Sequence, residues 1–376
     1  MDGDAVVRRS ALENVNRVVV KVGSGVISGK GRLRPSVMKA LAHDVSHMMK
    51  AGCEVVMVAS GAVAAGYASL GLPSVPTNVA ERQASACIGQ YRLVNRLSEA
   101  FAKYRIGVAQ LLIMEGDIED RRRFLSARHV LQMLLARGVV PVINENDPLA
   151  NEQATLGDND HLAAMVSNLV SAQLLVILSS VDGLYAEGTR RVIPTVRTGA
   201  SVSQHVFKET SATGVGGMEA KVRAAGIASR GGVPTIIARG EAGSLTRIMS
   251  GEPVGTLFLP SESRLSARKR WIVFRVKSRG ALTIDAGARK ALRVGGASLL
   301  PAGVIKVEGR FQMGARVDVR DLRGDLVAVG LVSYASHEIE RMMGLDRRHF
   351  KGVLGYEYVD EIIHRDDMVL WTEDSA

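Results

Sequence analysis

The chain predicts an α/β protein, with a mainly parallel sheet wrapped by helices over residues 1–260 and a small β-barrel over residues 281–376. Three observations carry this. Strand-like and helix-like stretches alternate through the first 260 residues, as strands joined by crossover helices do. Ala, Val, Leu and Gly dominate while aromatic residues make up 4%, a balance that suits a packed α/β enzyme rather than a fibrous or disordered chain. Near residue 270 the pattern shifts to short alternating runs separated by Gly-rich turns, the style of a small barrel or sandwich. At 376 residues the chain can make two or three domains, each with a core of its own.

In chain order, the candidate strands of the first part are Arg17–Val22, Glu54–Ala59, Val108–Leu112, Val139–Ile143, Leu174–Leu178 and Pro234–Ala238. Between them Ser36–Lys50, Ala80–Tyr104, Ser126–Ala136, residues 161–170 and Lys221–Arg230 read as helices, with Asp158 and Asn159 as N-cap material for 161–170. The run Arg121-Arg122-Arg123 reads as a solvated face near a helix start. In the last part Leu282–Ile284, Val304–Glu308, Arg316–Val319 and Leu326–Val332 read as strands. No segment repeats at a fixed period.

Charge divides unevenly. The net charge of +10 splits into +6 for residues 1–260, +6 for 261–280 and −2 for 281–376. The short middle segment therefore reads as a basic linker whose charges are solvated, with anion or nucleic-acid binding as the competing reading. No apolar stretch approaches the roughly 18 residues of a membrane span, and no signal-peptide core follows Arg8 and Arg9. Cys53 and Cys87 make neither a disulfide framework nor a metal spacing, which points to a reducing cytoplasm.

The chemistry-bearing residues lie at strand ends. The run Val139–Ile143 delivers Asn144-Glu145-Asn146-Asp147, and Gly157-Asp158-Asn159-Asp160 follows ten residues later. A helix needs one capping side chain, not this density of carboxylates and amides, so the cluster suits a site for a small polar substrate. The first strand runs into Lys21-Val22-Gly23-Ser24-Gly25, where glycines let backbone N–H groups approach a phosphate. It is neither a Walker loop, since G-x-x-x-x-G-K-[ST] is absent from the chain, nor a dinucleotide fingerprint, since Ser28 stands where glycine is needed. The second strand ends in Ser60-Gly61-Ala62-Val63-Ala64-Ala65-Gly66, whose small residues allow a helix to start close to the sheet. Val58 stands in place of the first glycine of a nucleophile elbow, which argues against a hydrolase serine. A third glycine-rich stretch, Thr213-Gly214-Val215-Gly216-Gly217-Met218-Glu219-Ala220-Lys221, opens a helix with a lysine in its first turn. That placement opposes the helix dipole, and a bound phosphate would offset the cost. Two glycine-flanked lysines, two Asp/Asn clusters and no Walker loop together point to phosphoryl transfer.

With these stretches the chain resembles the amino-acid kinase family. The likeness continues in Val254-Gly255-Thr256-Leu257-Phe258; the C-terminal part looks like a PUA domain, and Leu354-Gly355-Tyr356-Glu357-Tyr358 and His364-Arg365-Asp366-Asp367-Met368 look like the family's terminal segment. The resemblance implies a three-layer αβα sandwich of residues 1–260, the basic linker 261–280 and a β-barrel PUA domain of residues 281–376. It implies the branch that transfers the ATP γ-phosphoryl group to the side-chain carboxylate of L-glutamate, giving L-glutamyl 5-phosphate in the first step of proline biosynthesis. Feedback inhibition by proline and homo-oligomerisation are implied with it. By motif, Lys21 touches the ATP phosphates and Lys221 stabilises the transferred group. Ser60, Asp147 and Asn159 bind glutamate, and Asp158 and Asp160 organise the lysines and Mg²⁺. The nucleotide is met by Lys21, Ser179, Ser180, Val215, Gly216, Gly217, Met218, Glu219, Ala220 and Lys221.

This chemistry agrees with what the chain lacks. A carboxylate nucleophile with a reference pKa of roughly 4.3 is already ionised at neutral pH, so no histidine need act as a base. Ser179-Ser180 stand where the family usually has Thr-Asp, and Gly25 where it usually has serine. A sister kinase acting on N-acetylglutamate, aspartate or a nucleoside monophosphate is the neighbouring reading. RNA binding by the PUA domain is a second, which the −2 balance of residues 281–376 disfavours. A kinase-fold regulator without catalysis is a third, at odds with the retained lysines and aspartates.

Overall fold

The computed structural model describes residues 3–29, 32–147, 159–186, 188–197, 217–260, 278–345, 350–355 and 359–371. The chain divides into two compact units, one of residues 1–118 and 127–264 and the other of residues 119–126 and 265–376.

The first unit is built on an eight-stranded sheet. Its strands are β1 (Arg17–Val22), β4 (Glu54–Ala59), β5 (Val108–Ile113), β6 (Val140–Glu145), β7 (Leu174–Ser179), β8 (Thr195–Arg197), β9 (Thr235–Arg239) and β10 (Thr256–Leu259), in the order β5-β6-β4-β1-β7-β9-β10-β8. The first six in that order are parallel, while β10 runs antiparallel to β9 and parallel to β8. A two-stranded ribbon, β2 (Ser28–Gly29) and β3 (Arg32–Leu33), lies outside this sheet. The helices that lie wholly or mostly in this unit are α1 (Gly3–Leu12), α2 (Ser24–Ile27), α3 (Pro35–Lys50), α4 (Ala62–Gly66), α5 (Val79–Ala102), α6 (Glu115–Glu119), α7 (Arg121–Ala136), α8 (Asn159–Leu169), α9 (Met218–Arg230) and α10 (Ser244–Met249). Central strands of a covered parallel sheet are buried on both faces, hence the near-continuous apolar runs of β1 and β7.

Strand periodicity sorts β1 between two layers. Val18, Val20 and Val22 enter the core with Leu41 and Val45 of α3 and Leu93 of α5, so Lys21 faces the other layer. Chain connections leave β1 towards β4 on one side, and β7 enters on its other side. Ligands of open α/β sheets sit in the crevice at the carboxyl ends of strands where the order reverses in this way.

Two packing devices hold this unit. α4 crosses α5 backbone to backbone at Gly66 and Gly89: a Cβ on Gly66 would lie 1.9 Å from the Ser85 carbonyl oxygen, and one on Gly89 1.8 Å from that of Ala62. The small-residue run after Ser60 is therefore a packing requirement as well as a loop signal. Arg8 of α1 is buried and donates to the carbonyl oxygens of Pro194, Glu252, Val254 and Gly255, tying the N-terminal helix to the segments before β8 and β10.

The second unit holds a five-stranded mixed sheet in the order β12-β11-β13-β14-β15, from β11 (Ala281–Ile284), β12 (Val304–Glu308), β13 (Arg316–Arg320), β14 (Leu326–Leu331) and β15 (Met368–Leu370). Its helices are α11 (Ala286–Gly295), capped by the Asp285 side chain on the Ala288 N–H, α12 (Ser336–Met342) and α13 (Phe350–Leu354). A separate core gathers Leu282, Ile284, Val317, Val319, Tyr334 and Ile339.

Several boundaries differ from the sequence reading. β6 runs on through Asn144 and Glu145, so these belong to the strand and only Asn146 and Asp147 follow it. α8 begins at Asn159, which puts Asn159 and Asp160 in its first turn, while Asp158 lies outside the described residues. α7 starts at Arg121, five residues earlier than periodicity suggests, with Arg122 and Arg123 exposed. The elements α1, β8, β10 and β15 had no strong local signal, because β8 and β15 span three residues each and β10 four. The linker residues 261–277 lie outside the described residues.

Candidate active site

Three charged side chains from separate elements meet behind the end of β1. Lys21 Nζ lies 2.5 Å from Asp160 Oδ1, and Lys221 Nζ lies 3.0 Å from Asp160 Oδ2. Their side chains are 8%, 8% and 2% exposed for Lys21, Lys221 and Asp160. Burial works against the charged form of Asp160, but the two ammonium groups beside it hold its carboxyl below the usual carboxylate range. Two ammonium groups and one carboxylate thus share a buried, low-dielectric setting.

Local structure sets each position. Lys21 is on the β1 face turned away from the α3–α5 core. Asp160 is in the first turn of α8 and Lys221 in that of α9, so the N-terminal ends of two helices converge on one carboxylate. The loop after β1 is seated by the Gly23 N–H, which donates to the Leu178 carbonyl at 2.9 Å; a Cβ on Gly23 would stand 3.2 Å from that oxygen and 3.9 Å from Lys21 Nζ. Ser179 is buried at the end of β7 and accepts through its carbonyl from the Gly240 N–H, while Ser180 is exposed. Gly217 precedes α9 in extended conformation, and Met218, Glu219 and Ala220 form the first turn with Lys221. Asp158, Val215 and Gly216 lie outside the described residues.

A second cluster lies at the ends of β4 and β6. Asn159 Nδ2 donates to Ser60 Oγ at 3.0 Å, both residues being buried. Asn159 Oδ1 is buried without a hydrogen-bond partner among the described residues. Gly61, next to Ser60, has φ +105°, a left-handed conformation, and its would-be Cβ meets Ile27 at 3.1 Å, which accounts for glycine at the turn into α4. Asp147 is buried, and burial first and Glu145 second raise its carboxyl to about 6 against the pull of Arg82. It opens on a cavity of about 240 Å³ that Glu145, Gln90, Cys87 and Tyr91 also line. Asn144 is fully buried and donates to Gln90 Oε1 at 2.6 Å.

Lys21, Asp160, Lys221, Ser60, Asn159 and Asp147 are thus gathered along the ends of β1, β4 and β6 and the starts of α8 and α9. Sequence reasoning missed Gln90 and Arg82. Both sit on α5, far from any motif, and only the crossing of α4 on α5 brings that helix to the cavity. Among the described residues no group of three or more His, Cys, Asp or Glu side chains could hold a metal ion, and no helix is long and apolar enough to cross a membrane.

A parallel sheet with a buried Lys–Asp–Lys group at its carboxyl edge defines a class of phosphotransferase. The amino acid kinase family model matches residues 16–239 and the PUA domain model residues 280–354, and the chain belongs to the amino acid kinase family, as an enzyme with a C-terminal PUA domain. Among its relatives, the glutamate 5-kinase of Citrifermentans bemidjiense is 44% identical over 372 residues, covering 96% of this chain and all of that one. The glutamate 5-kinase of Myxococcus xanthus is 43% identical over 375 residues, covering 96% of this chain and 98% of its own length. Of solved structures, the Giardia carbamate kinase shares the fold at TM-score 0.50 and 16% identity, over 66% of this chain and all of that one.

Proposed function

We propose that the chain transfers the γ-phosphoryl group of ATP to the side-chain carboxylate of L-glutamate, forming L-glutamyl 5-phosphate for proline biosynthesis. The single observation that carries the reading is the buried group of two lysines on one aspartate, supported by full-length relatives that are glutamate 5-kinases.

The chemistry asks for charge and alignment, not for a base. The substrate carboxylate, with a reference pKa of roughly 4.3, arrives ionised, and the barrier is lowered by in-line positioning and by cations near the equatorial oxygens. Lys21 and Lys221 supply those cations. Asp160 holds the two ammonium groups in place, one on each carboxylate oxygen, so little reorganisation is needed during transfer. Because Ser60 Oγ accepts from Asn159, its own O–H is available to donate to a substrate carboxylate. Asn159 Oδ1 and the Asp147 carboxylate offer acceptors for an ammonium group, a charge-assisted contact in Asp147's case. An acetylated amino group would leave those two acceptors without an ammonium donor, which favours glutamate over N-acetylglutamate. Ser179, Ser180 and the residues from Val215 to Lys221 are assigned to nucleotide contact.

Mg²⁺ fits only as a companion of the nucleotide. Both oxygens of Asp160 face lysines, so the described residues make no cage for it, and phosphate oxygens and water would supply most ligands. When bound, the ion neutralises phosphate charge.

ATP-dependent trapping of acyl phosphate with hydroxylamine tests the reading, with L-glutamate, N-acetyl-L-glutamate and L-aspartate compared, each with and without proline. Hydroxamate from glutamate alone is the expected result, and product from another acid instead would overturn the substrate assignment. Suppression by proline is expected, and turnover unchanged at millimolar proline rejects feedback inhibition. The enzyme is also assigned as a homo-oligomer, which light scattering showing a monomer at all concentrations would overturn.

A further inference from the structure

The second unit contains a cavity of about 870 Å³ that phosphoryl transfer does not use. Its rim carries Arg279, Arg310 and Arg316 against one carboxylate, Glu340. Arg279 and Arg310 are exposed. Arg316 is half-buried with its Nη2 3.6 Å from Asp318 Oδ1, and that carboxylate is shared with Arg320 at 3.0 Å, so its charge is divided between two guanidinium groups.

The floor is apolar and rigidly held. Phe311 is buried: its N–H donates to Ser336 Oγ at 3.2 Å, and the Ser336 N–H returns a bond to the Phe311 carbonyl at 3.0 Å. The ring lies against Gly280, where a Cβ would come within 2.7 Å of it. The turn beyond is held by the Ala315 N–H on the Gln312 carbonyl at 3.1 Å and the Gly314 N–H on the Val332 carbonyl at 2.7 Å. A cationic rim over a preformed apolar floor suits an anion with a carbon body, and guanidinium forks match phosphate oxygens geometrically. Arg279 and Arg310 stand against Glu340, with Arg316 held on Asp318, a cationic rim that suits the about −1.5 to −2 of a phosphate monoester. A polyanion needs an extended basic face, whereas these arginines meet at one cavity. We propose that this cavity binds a small phosphorylated metabolite, its phosphate on Arg279, Arg310 and Arg316 and its carbon part against Phe311 and Met313.

The test is hydrogen exchange and calorimetry on the full chain with inorganic phosphate, phenyl phosphate and a single-stranded oligoribonucleotide. Phenyl phosphate is expected to protect the backbone of residues 309–316 and 334–340 and to bind about tenfold more tightly than inorganic phosphate, because only it covers the floor. The charge reversal Arg310→Glu is expected to weaken it by about tenfold or more while leaving the hydrogen exchange of β13 and β14 at the parental level, which reports an intact second unit. Absence of that protection, equal affinity for the two phosphates, or undiminished binding by the variant would overturn the proposal. Binding of the oligoribonucleotide alone would overturn it in favour of RNA.

Discussion

Asp147 offers a quantitative test of where the amino group of the substrate binds. Its carboxyl is raised from 3.8 to about 6, because burial and the neighbouring Glu145 outweigh the attraction of Arg82. With that value it is about nine-tenths ionised at about pH 7 and about one-tenth ionised at about pH 5. Only the ionised form pairs with an ammonium group, and apparent affinity scales with the competent fraction, so KM for glutamate is expected to rise about tenfold between about pH 7 and about pH 5. The glutamate side chain, at a reference value of roughly 4.3, stays mostly ionised over that range and its ammonium does not titrate. Initial rates of hydroxamate formation at saturating ATP, with kcat and KM fitted separately at each pH, measure this. Asp147→Asn is expected to raise KM at about pH 7 and to flatten the profile. The same raised value has a stability counterpart. The folded state holds a proton that the unfolded chain has released, so this contribution is fully present below about pH 4 and is lost as pH rises through about 6. The rise from 3.8 to about 6 corresponds to at most about 3 kcal/mol, and Asp147→Asn is therefore expected to raise Tm at about pH 7 in the absence of substrate. A KM that stays constant across the range, or an unchanged slope in Asp147→Asn, refutes the reasoning.

Three further outcomes are expected. Lys221→Met removes one of the two cations on Asp160 and should lower kcat by about 10²–10³ with glutamate KM changed a few-fold at most; equal loss in kcat and in binding would assign Lys221 to the ground state. Gly89→Ala places a Cβ 1.8 Å from the Ala62 carbonyl oxygen, and the forced separation of α4 from α5 should cost about 1–3 kcal/mol, read as a lower Tm by circular dichroism; an unchanged Tm would show that the crossing can relax. Arg8→Met keeps the stem of the side chain but removes the donors to four carbonyl groups, and a loss of about 2 kcal/mol or more is expected in denaturant unfolding; a smaller loss would mean that water replaces the guanidinium.

Much of the fold was legible because its signals are local. The central strands β1, β4 and β7 sit inside a covered parallel sheet, and a strand buried on both faces must be apolar along its whole length, which a sequence displays openly. The elements that escaped notice are held from outside themselves. α1 is fastened through one buried arginine, and β8, β10 and β15 are too short to show a period and exist through their neighbours in the sheets.

The candidate site divides in the same way. Residue types and their order along the chain, two lysines beside glycine-rich stretches and carboxylate–amide clusters behind a strand, determined by themselves that phosphoryl transfer was the chemistry to look for. That Lys21 and Lys221, two hundred residues apart in the chain, close on the two oxygens of Asp160 was decided only by tertiary structure. So was the arrival of Gln90 and Arg82 of α5 beside Asp147. The physical reason is that periodicity and turn chemistry act over a few residues, whereas a buried charge is set by whatever distant groups share its low-dielectric surroundings, and only the packing of layers selects those groups.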